Sequence, residues 1–214
     1  MIIFLHGDDT YRSREKLREL TGRFLREVDP SGANLVVMDG TTASASDIWA
    51  AIAAQSFLVR KRMVVVERIG EPRSMAVRTE LAALLARVPE DVILVFWESK
   101  SRQKTGESRQ KTEDRRQKNV KAMKARGKKT PSSSEKDDPL FPLLLAEKYA
   151  QEFMPLVGAE LATWVRARVA ERDATIAPDA LRALTAEVGS DLWRMHTEIE
   201  KLAAAALGDP TPSR

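Results

Sequence analysis

The chain has 214 residues, 43% of them apolar, enough to bury one substantial core and a smaller second one. It contains no cysteine and only two histidines, His6 and His196, far apart in sequence, which excludes a disulfide framework and a thiolate metal site and argues against zinc. The net charge of +4 is uneven: residues 100–137 carry 14 Lys/Arg against 5 Asp/Glu, so the rest of the chain is net acidic and the basicity belongs to one segment.

Ile2 to Leu5 is a short apolar run ending in His6-Gly7-Asp8-Asp9, the pattern of a buried parallel strand feeding a loop at its carboxyl end. The run is too short, and lacks the preceding positive charges, for a signal peptide. Leu17, Leu20, Phe24 and Val28 recur at helical spacing, and Asp29-Pro30-Ser31-Gly32 punctuates a turn before a second strand, Leu35 to Met38. Ser44 to Asp47 supplies helix-capping side chains, and Ile48, Ile52 and Gln55 lead a helix into Ser56-Phe57-Leu58. Met63 to Val66 reads as a third strand, Leu81, Leu84 and Leu85 as the next helix, and Val92 to Trp97 as a fourth strand.

Residues 100–138 break this alternation. A seven-residue near-repeat, Ser101 to Glu107 and Ser108 to Asp114, followed by a shorter copy from Arg115 to Asn119, carries no apolar positions able to seat a coiled coil, so a disordered basic insert is expected. Order is expected to return at Pro139-Leu140-Phe141, with Ala150 to Met154 as a fifth, edge strand. Beyond Gly158 the pattern is helical: Leu161, Trp164, Val165, Arg168 and Val169 on one helix, Pro178 opening a second, and Leu192, Ile199 and Leu202 on a third. No apolar stretch approaches the ~18 residues of a membrane span. The expectation is an α/β fold, a five-stranded parallel sheet flanked by helices over residues 1–155, then a three-helix lid over 156–208 and a tail over 209–214.

A five-stranded α/β unit followed by a three-helix lid is the outline of an AAA+ module. Within it, Phe4-Leu-His-Gly-Asp-Asp-Thr-Tyr, Gln55-Ser-Phe-Leu with Arg62-Met-Val-Val-Val, and Ala150-Gln-Glu-Phe resemble the delta subunit of the bacterial clamp loader of DNA polymerase III. So do Gly158-Ala-Glu-Leu-Ala-Thr-Trp-Val and Val188-Gly-Ser-Asp-Leu-Trp leading into Glu198-Ile-Glu-Lys-Leu. The resemblance spans residues 1–99 and 139–207 and rests on the order and spacing of these phrases. It implies a cytoplasmic, non-catalytic subunit without cofactor, whose partners are the sliding clamp, the other loader subunits and primed DNA. The family continues into a helical collar domain that joins the subunits; the chain's last residue, Arg214, precedes any such domain.

A working phosphate loop reads G-x-x-x-x-G-K-[ST], its glycines letting backbone N–H groups surround the phosphates. Here Gly7, Asp8 and Asp9 open the loop, but Arg12-Ser13-Arg14 stands where Gly-Lys-Ser/Thr belongs, so a degenerate nucleotide site is expected. The third strand ends in Glu67 alone, where an ATPase pairs an Asp with a Glu. Arg194 resembles the lid arginine that senses a γ-phosphate in active relatives; an ion pair on a helix face is the simpler expectation. A nucleotide-dependent enzyme remains the rival reading, requiring Arg14 or Lys16 to replace the missing lysine.

The resemblance implies that Phe57 and Leu58, flanked by Gln55, Ser56 and Arg60, insert into a pocket on the clamp. Burying both contributes about 3–6 kcal/mol from apolar area before association costs. The residues alone favour the opposite, the two side chains packing beneath their own sheet. In the insert, Arg102, Lys104, Arg109, Lys111, Arg115, Arg116 and Lys118 are candidates for nonspecific phosphate contact, weighed equally against a solvated segment, and a DNA-binding module acting through them is a third reading. No aromatic residue interrupts that segment, so a base-stacking platform is not expected. Trp49, Trp97, Trp164 and Trp193 are too dispersed in sequence to suggest a ligand cage, and core packing is their default.

Overall fold

The computed structural model describes residues 1–54, 61–70, 74–99 and 138–208. Five strands, β1 (Ile2–His6), β2 (Leu35–Asp39), β3 (Arg62–Glu67), β4 (Val92–Glu98) and β5 (Tyr149–Glu152), form one sheet in the order β2-β3-β4-β1-β5. Every pairing is parallel, with Phe4 beside Phe96 and Ala150, and Val64 beside Val36 and Leu94. The helices among the described residues are α1 (Thr10–Glu27), α2 (Ala45–Ala53), α3 (Met75–Leu85), α4 (Leu140–Ala146), α5 (Gly158–Ala170), α6 (Pro178–Val188) and α7 (Leu192–Gly208). This is the expected α/β architecture of a parallel sheet flanked by helices.

Alternation along the strands divides the sheet's side chains between two layers. Phe4, Val64, Val66, Leu94 and Phe96 face α2, α3 and α4, where Ile48, Ile52, Leu81, Leu140 and Leu144 meet them. Ile3, Leu5, Met63, Val65, Val95 and Trp97 face α1 and are covered by Leu17 and Phe24. Because both faces are buried, the strands read as continuous apolar runs rather than as an alternating pattern.

Local capping sets several helix starts. Ser44 accepts from the Asp47 N–H at 3.1 Å while the Asp47 carboxylate accepts from the Ser44 N–H at 2.9 Å, a reciprocal capping box. Asp29, buried beyond the end of α1, accepts from the Asn34 backbone and side-chain N–H groups at 2.6 and 3.1 Å and so holds the turn into β2. Pro178 occupies the first turn of α6, where its missing N–H costs no bond.

Several boundaries differ from the sequence reading. The helix expected to run to Gln55 ends at Ala53, and the fifth strand is Tyr149–Glu152 rather than Ala150 to Met154, because Phe153 and Met154 turn away to bond the loop after β1. Helix α4 has no signal in the periodicity, being seven residues long. Asp138, assigned to the basic insert, belongs to the folded chain: it is buried, accepts from the Leu140 N–H at 3.0 Å at the head of α4, and forms an ion pair with buried Arg78 of α3. Leu202, expected on the apolar face of the last helix, is exposed.

Helices α5, α6 and α7 pack around their own cluster of Leu161, Val165, Leu181, Leu192, Met195 and Ile199. One residue of α1, Tyr11, belongs to that cluster and not to the sheet's. No helix among the described residues is long and apolar enough to cross a membrane.

Candidate functional site

In an open parallel sheet, ligands gather at the carboxyl ends of the strands, where the connections from neighbouring strands depart in opposite directions. Here that crevice lies between β1, whose chain crosses to β2 at one edge, and β4, whose chain goes on to β5 at the other. All five strands end there in an ionisable residue: His6, Asp39, Glu67, Glu98 and Glu152. These groups are turned to the chain's own use. Asp39 is held below its ordinary carboxylate value, first by the Thr41 backbone N–H at 2.9 Å, then by the Thr41 hydroxyl, with Arg68 also pairing to it. Glu67 pairs with Arg14 at 2.5 Å.

Glu98 is 2% exposed, and its carboxylate accepts from the Gly70 N–H and, at 2.9 Å, from the Ser99 N–H. A Cβ at Gly70 would lie 2.8 Å from the Glu98 carboxyl carbon, so a larger residue there would have to displace that carboxylate. His6 is buried and stacks on Phe4 with ring centroids 4.6 Å apart. Its Nδ1 has no hydrogen-bond partner among the described residues, and burial lowers its pKa, opposed by the charge of Glu152.

The loop after β1, where Gly7, Asp8, Asp9, Arg12 and Ser13 were expected to form a degenerate phosphate loop, is closed by two sets of contacts. Phe153 brackets it, donating its N–H to the His6 carbonyl at 2.7 Å and accepting from the Asp9 N–H at 3.0 Å. Gly7 has φ +128°, and a Cβ there would lie 2.7 Å from the Phe153 nitrogen. At the head of α1 the buried Asp9 carboxylate accepts from the Arg12 backbone N–H at 3.0 Å and from the Arg12 guanidinium at 2.5 Å. A carboxylate therefore sits where a phosphate would meet the helix N-terminus. Arg12 also donates to the Met154 carbonyl at 2.5 Å. Asp8 is exposed at the outer side of this turn.

Ser13 is fully buried and accepts from the Trp97 indole N–H at 3.0 Å, so its hydroxyl is committed to the core. The two substitutes for a phosphate-loop lysine are also engaged. Arg14 lies 3.7 Å over the Trp97 ring besides pairing with Glu67, and Lys16 pairs with Glu19 at 2.9 Å. Arg194 pairs with Glu187 at 3.4 Å on the exposed side of α7.

The aromatic residues depart from the sequence reading. Trp97 is a core residue, but Trp193 is 45% exposed, and two of the four tryptophans converge despite their separation in sequence. Tyr11 packs edge-on against Trp164 at 5.5 Å and Trp193 at 5.0 Å between ring centroids, with His196 at 5.4 Å. Sequence reasoning missed this cluster because its members lie on three helices; Tyr11, off the apolar register of α1, was the available signal.

The expected clamp contacts Gln55, Ser56, Phe57, Leu58 and Arg60 lie outside the described residues, as do Arg102, Lys104, Arg109, Lys111, Arg115, Arg116 and Lys118. The described chain on either side of the first group is well anchored: α2 ends at Ala53, and Arg62 at the start of β3 donates to the Ala51 carbonyl at 3.3 Å. This corner is at the amino end of the sheet, opposite the crevice that holds Gly7 and Glu98.

No family model and no curated protein sequence matches the chain. Among solved structures it is similar to the Bacillus subtilis DNA clamp loader delta protein, with a TM-score of 0.55 and 17% identity over 96% of this chain and 53% of that one. A DNA polymerase III gamma subunit-related protein from Thermotoga maritima aligns with a TM-score of 0.48 and 15% identity, over 94% of this chain and 53% of that one. The chain thus spans about half the length of either structure, and what it shares with the Bacillus subtilis delta protein is the fold.

Proposed function

We propose that this chain is a clamp-loader subunit of the delta type, a non-catalytic cytoplasmic arm that binds the sliding clamp of DNA polymerase III and favours its open form. The observation that carries the reading is the closed head of α1 in a fold similar to that of a clamp loader delta protein. Asp9 and Arg12 occupy the helix N-terminus, Phe153 leaves no room at Gly7, and Ser13 is committed to Trp97. Nucleotide hydrolysis then resides in partner subunits, reached through a collar domain, and this chain contributes contact rather than chemistry.

Clamp contact is assigned to Phe57 and Leu58, with Gln55, Ser56 and Arg60 as their neighbours in sequence, in the segment that links α2 to β3. Two bulky apolar side chains seated in a partner's pocket make a hot spot, and only tighter binding to the opened ring shifts its equilibrium. The cations from Arg102 to Lys118 add salt-dependent attraction to primed DNA.

The test is clamp affinity for the wild-type chain and for Phe57→Ala/Leu58→Ala, alongside titration with magnesium ATP. The double variant is expected to bind at least about 100-fold more weakly, from the area removed. Equal affinities end the clamp assignment, whereas tight magnesium-dependent ATP binding returns the chain to the enzyme reading.

A further inference from the structure

Helix α1 serves two cores at once. Ser13, Leu17 and Phe24 face the sheet, whereas Tyr11, two residues before Ser13, is 5% exposed within the cluster of α5, α6 and α7. Apart from α1, the described chain passes from the sheet to the three helices through the segment 153–157 alone. Among the described residues, the three-helix unit is therefore joined to the sheet by one covalent strap and one non-covalent seat.

The seat has several independent contacts. Tyr11 lies edge-on to Trp164 of α5 and Trp193 of α7, and its hydroxyl is 3.1 Å from His196 Nδ1. Arg168 of α5 lies 5.6 Å over the Tyr11 ring and pairs with Glu15 one turn along α1. Trp193 donates its indole N–H to the Thr10 hydroxyl at 2.9 Å. Burial, followed by the charge of Glu15 and opposed by that of Arg168, raises the Tyr11 pKa, so the hydroxyl stays neutral.

We propose that Tyr11 is a latch that fixes the orientation of the three-helix unit on the sheet, and that its release lets α5 to α7 swing about the strap at residues 153–157 while each core stays folded. Two features make this a latch rather than ordinary core packing. Both sides keep a core of their own, Leu17 and Phe24 against the sheet and Leu161, Val165, Met195 and Ile199 among the helices. The contacts that Tyr11 contributes are two edge-on ring pairs, a tilted contact with the His196 ring, the Arg168 guanidinium over its face and one hydroxyl contact, each of modest strength, so they can be broken without dismantling either core.

The experiment is thermolysin digestion of the whole chain under native conditions, with mass spectrometry following cleavage at residues 153–157 and, as an internal standard, at residues 86–91 between α3 and β4. Proteolysis under these conditions reports the population of the locally opened state. Tyr11→Ala is expected to speed strap cleavage about tenfold while cleavage at 86–91 changes less than about twofold. Trp193→Ala, at a side chain that is 45% exposed, is the second variant should Tyr11→Ala lose its far-UV circular dichroism, and is expected to act in the same direction. An unchanged strap rate, or equal acceleration at both places, overturns the proposal, the first because nothing is released and the second because the whole chain unfolds as one.

Discussion

The indole N–H of Trp97, the penultimate residue of β4, donates to the hydroxyl of Ser13 in the first turns of α1 at 3.0 Å, with both groups buried. The Ser13 hydroxyl in turn donates to the Thr10 carbonyl at 3.3 Å, and the Arg14 guanidinium lies over the face of the indole. A position that would touch phosphate in a working loop is spent here on fastening a helix to a sheet. Ser13→Ala should leave the indole N–H buried and unsatisfied, at a cost of about 1–3 kcal/mol. Urea unfolding followed by tryptophan fluorescence checks this; a change under about 0.5 kcal/mol would mean that water replaces the hydroxyl.

Gly7 combines φ +128° with a Phe153 backbone that leaves no space for a Cβ. Gly7→Ala is expected to destabilise the chain by about 1–3 kcal/mol and to loosen the strap, because strain at Gly7 is relieved by displacing Phe153. Thermal unfolding measures the first effect and hydrogen exchange at the Phe153 and Asp9 amides the second. Both amides should exchange faster, and full protection in the variant contradicts the crowding.

Arg78 and Asp138 are 8% and 7% exposed and form an ion pair joining α3 to the head of α4. Removing one partner strands the other charge, so Arg78→Ala and Asp138→Ala should each cost about 3–5 kcal/mol. Arg78→Met with Asp138→Leu should recover part of that loss, since an apolar pair carries no desolvation penalty. Chemical denaturation of the three variants decides between a charge effect and lost packing; a double variant no better than the singles favours packing.

His6 is buried, its Nδ1 has no partner among the described residues, and burial lowers its pKa below the ordinary 6.5. The native state then takes up a proton less readily than the unfolded chain does, so the stability associated with His6 is complete above about pH 6.5 and is lost as pH falls through the lowered value. The Glu152 charge works against burial and narrows the window. Unfolding free energies at pH 8 and in steps down to pH 5 should show the decline, and His6→Phe should flatten it. An equal slope in that variant assigns the decline to carboxylates instead.

Element type was legible wherever burial imposed a period. The apolar runs at Ile2, Leu35, Met63 and Val92 and the helical spacing from Leu17 to Phe24 identify the parallel α/β sheet, because strands covered on both faces admit few polar residues. The mismatch with a phosphate-binding motif at Arg12-Ser13-Arg14 was equally visible, since that motif demands particular residues at particular spacings. Helix α4 and the membership of Asp138 were not, because seven residues carry too little periodicity and an ion pair 60 positions apart leaves no local trace.

What fills the place of a ligand was settled only by the tertiary fold. Asp9, Arg12 and Ser13 are local in sequence, but the groups that complete them, Phe153, Met154 and Trp97, arrive from β4 and the strap. The same holds for Tyr11, whose partners Trp164, Trp193 and His196 lie more than 150 residues away. Hydrophobic period is a property of neighbours along a chain and is written in it; convergence of side chains from separate elements depends on how those elements pack, and exists only once the chain has folded.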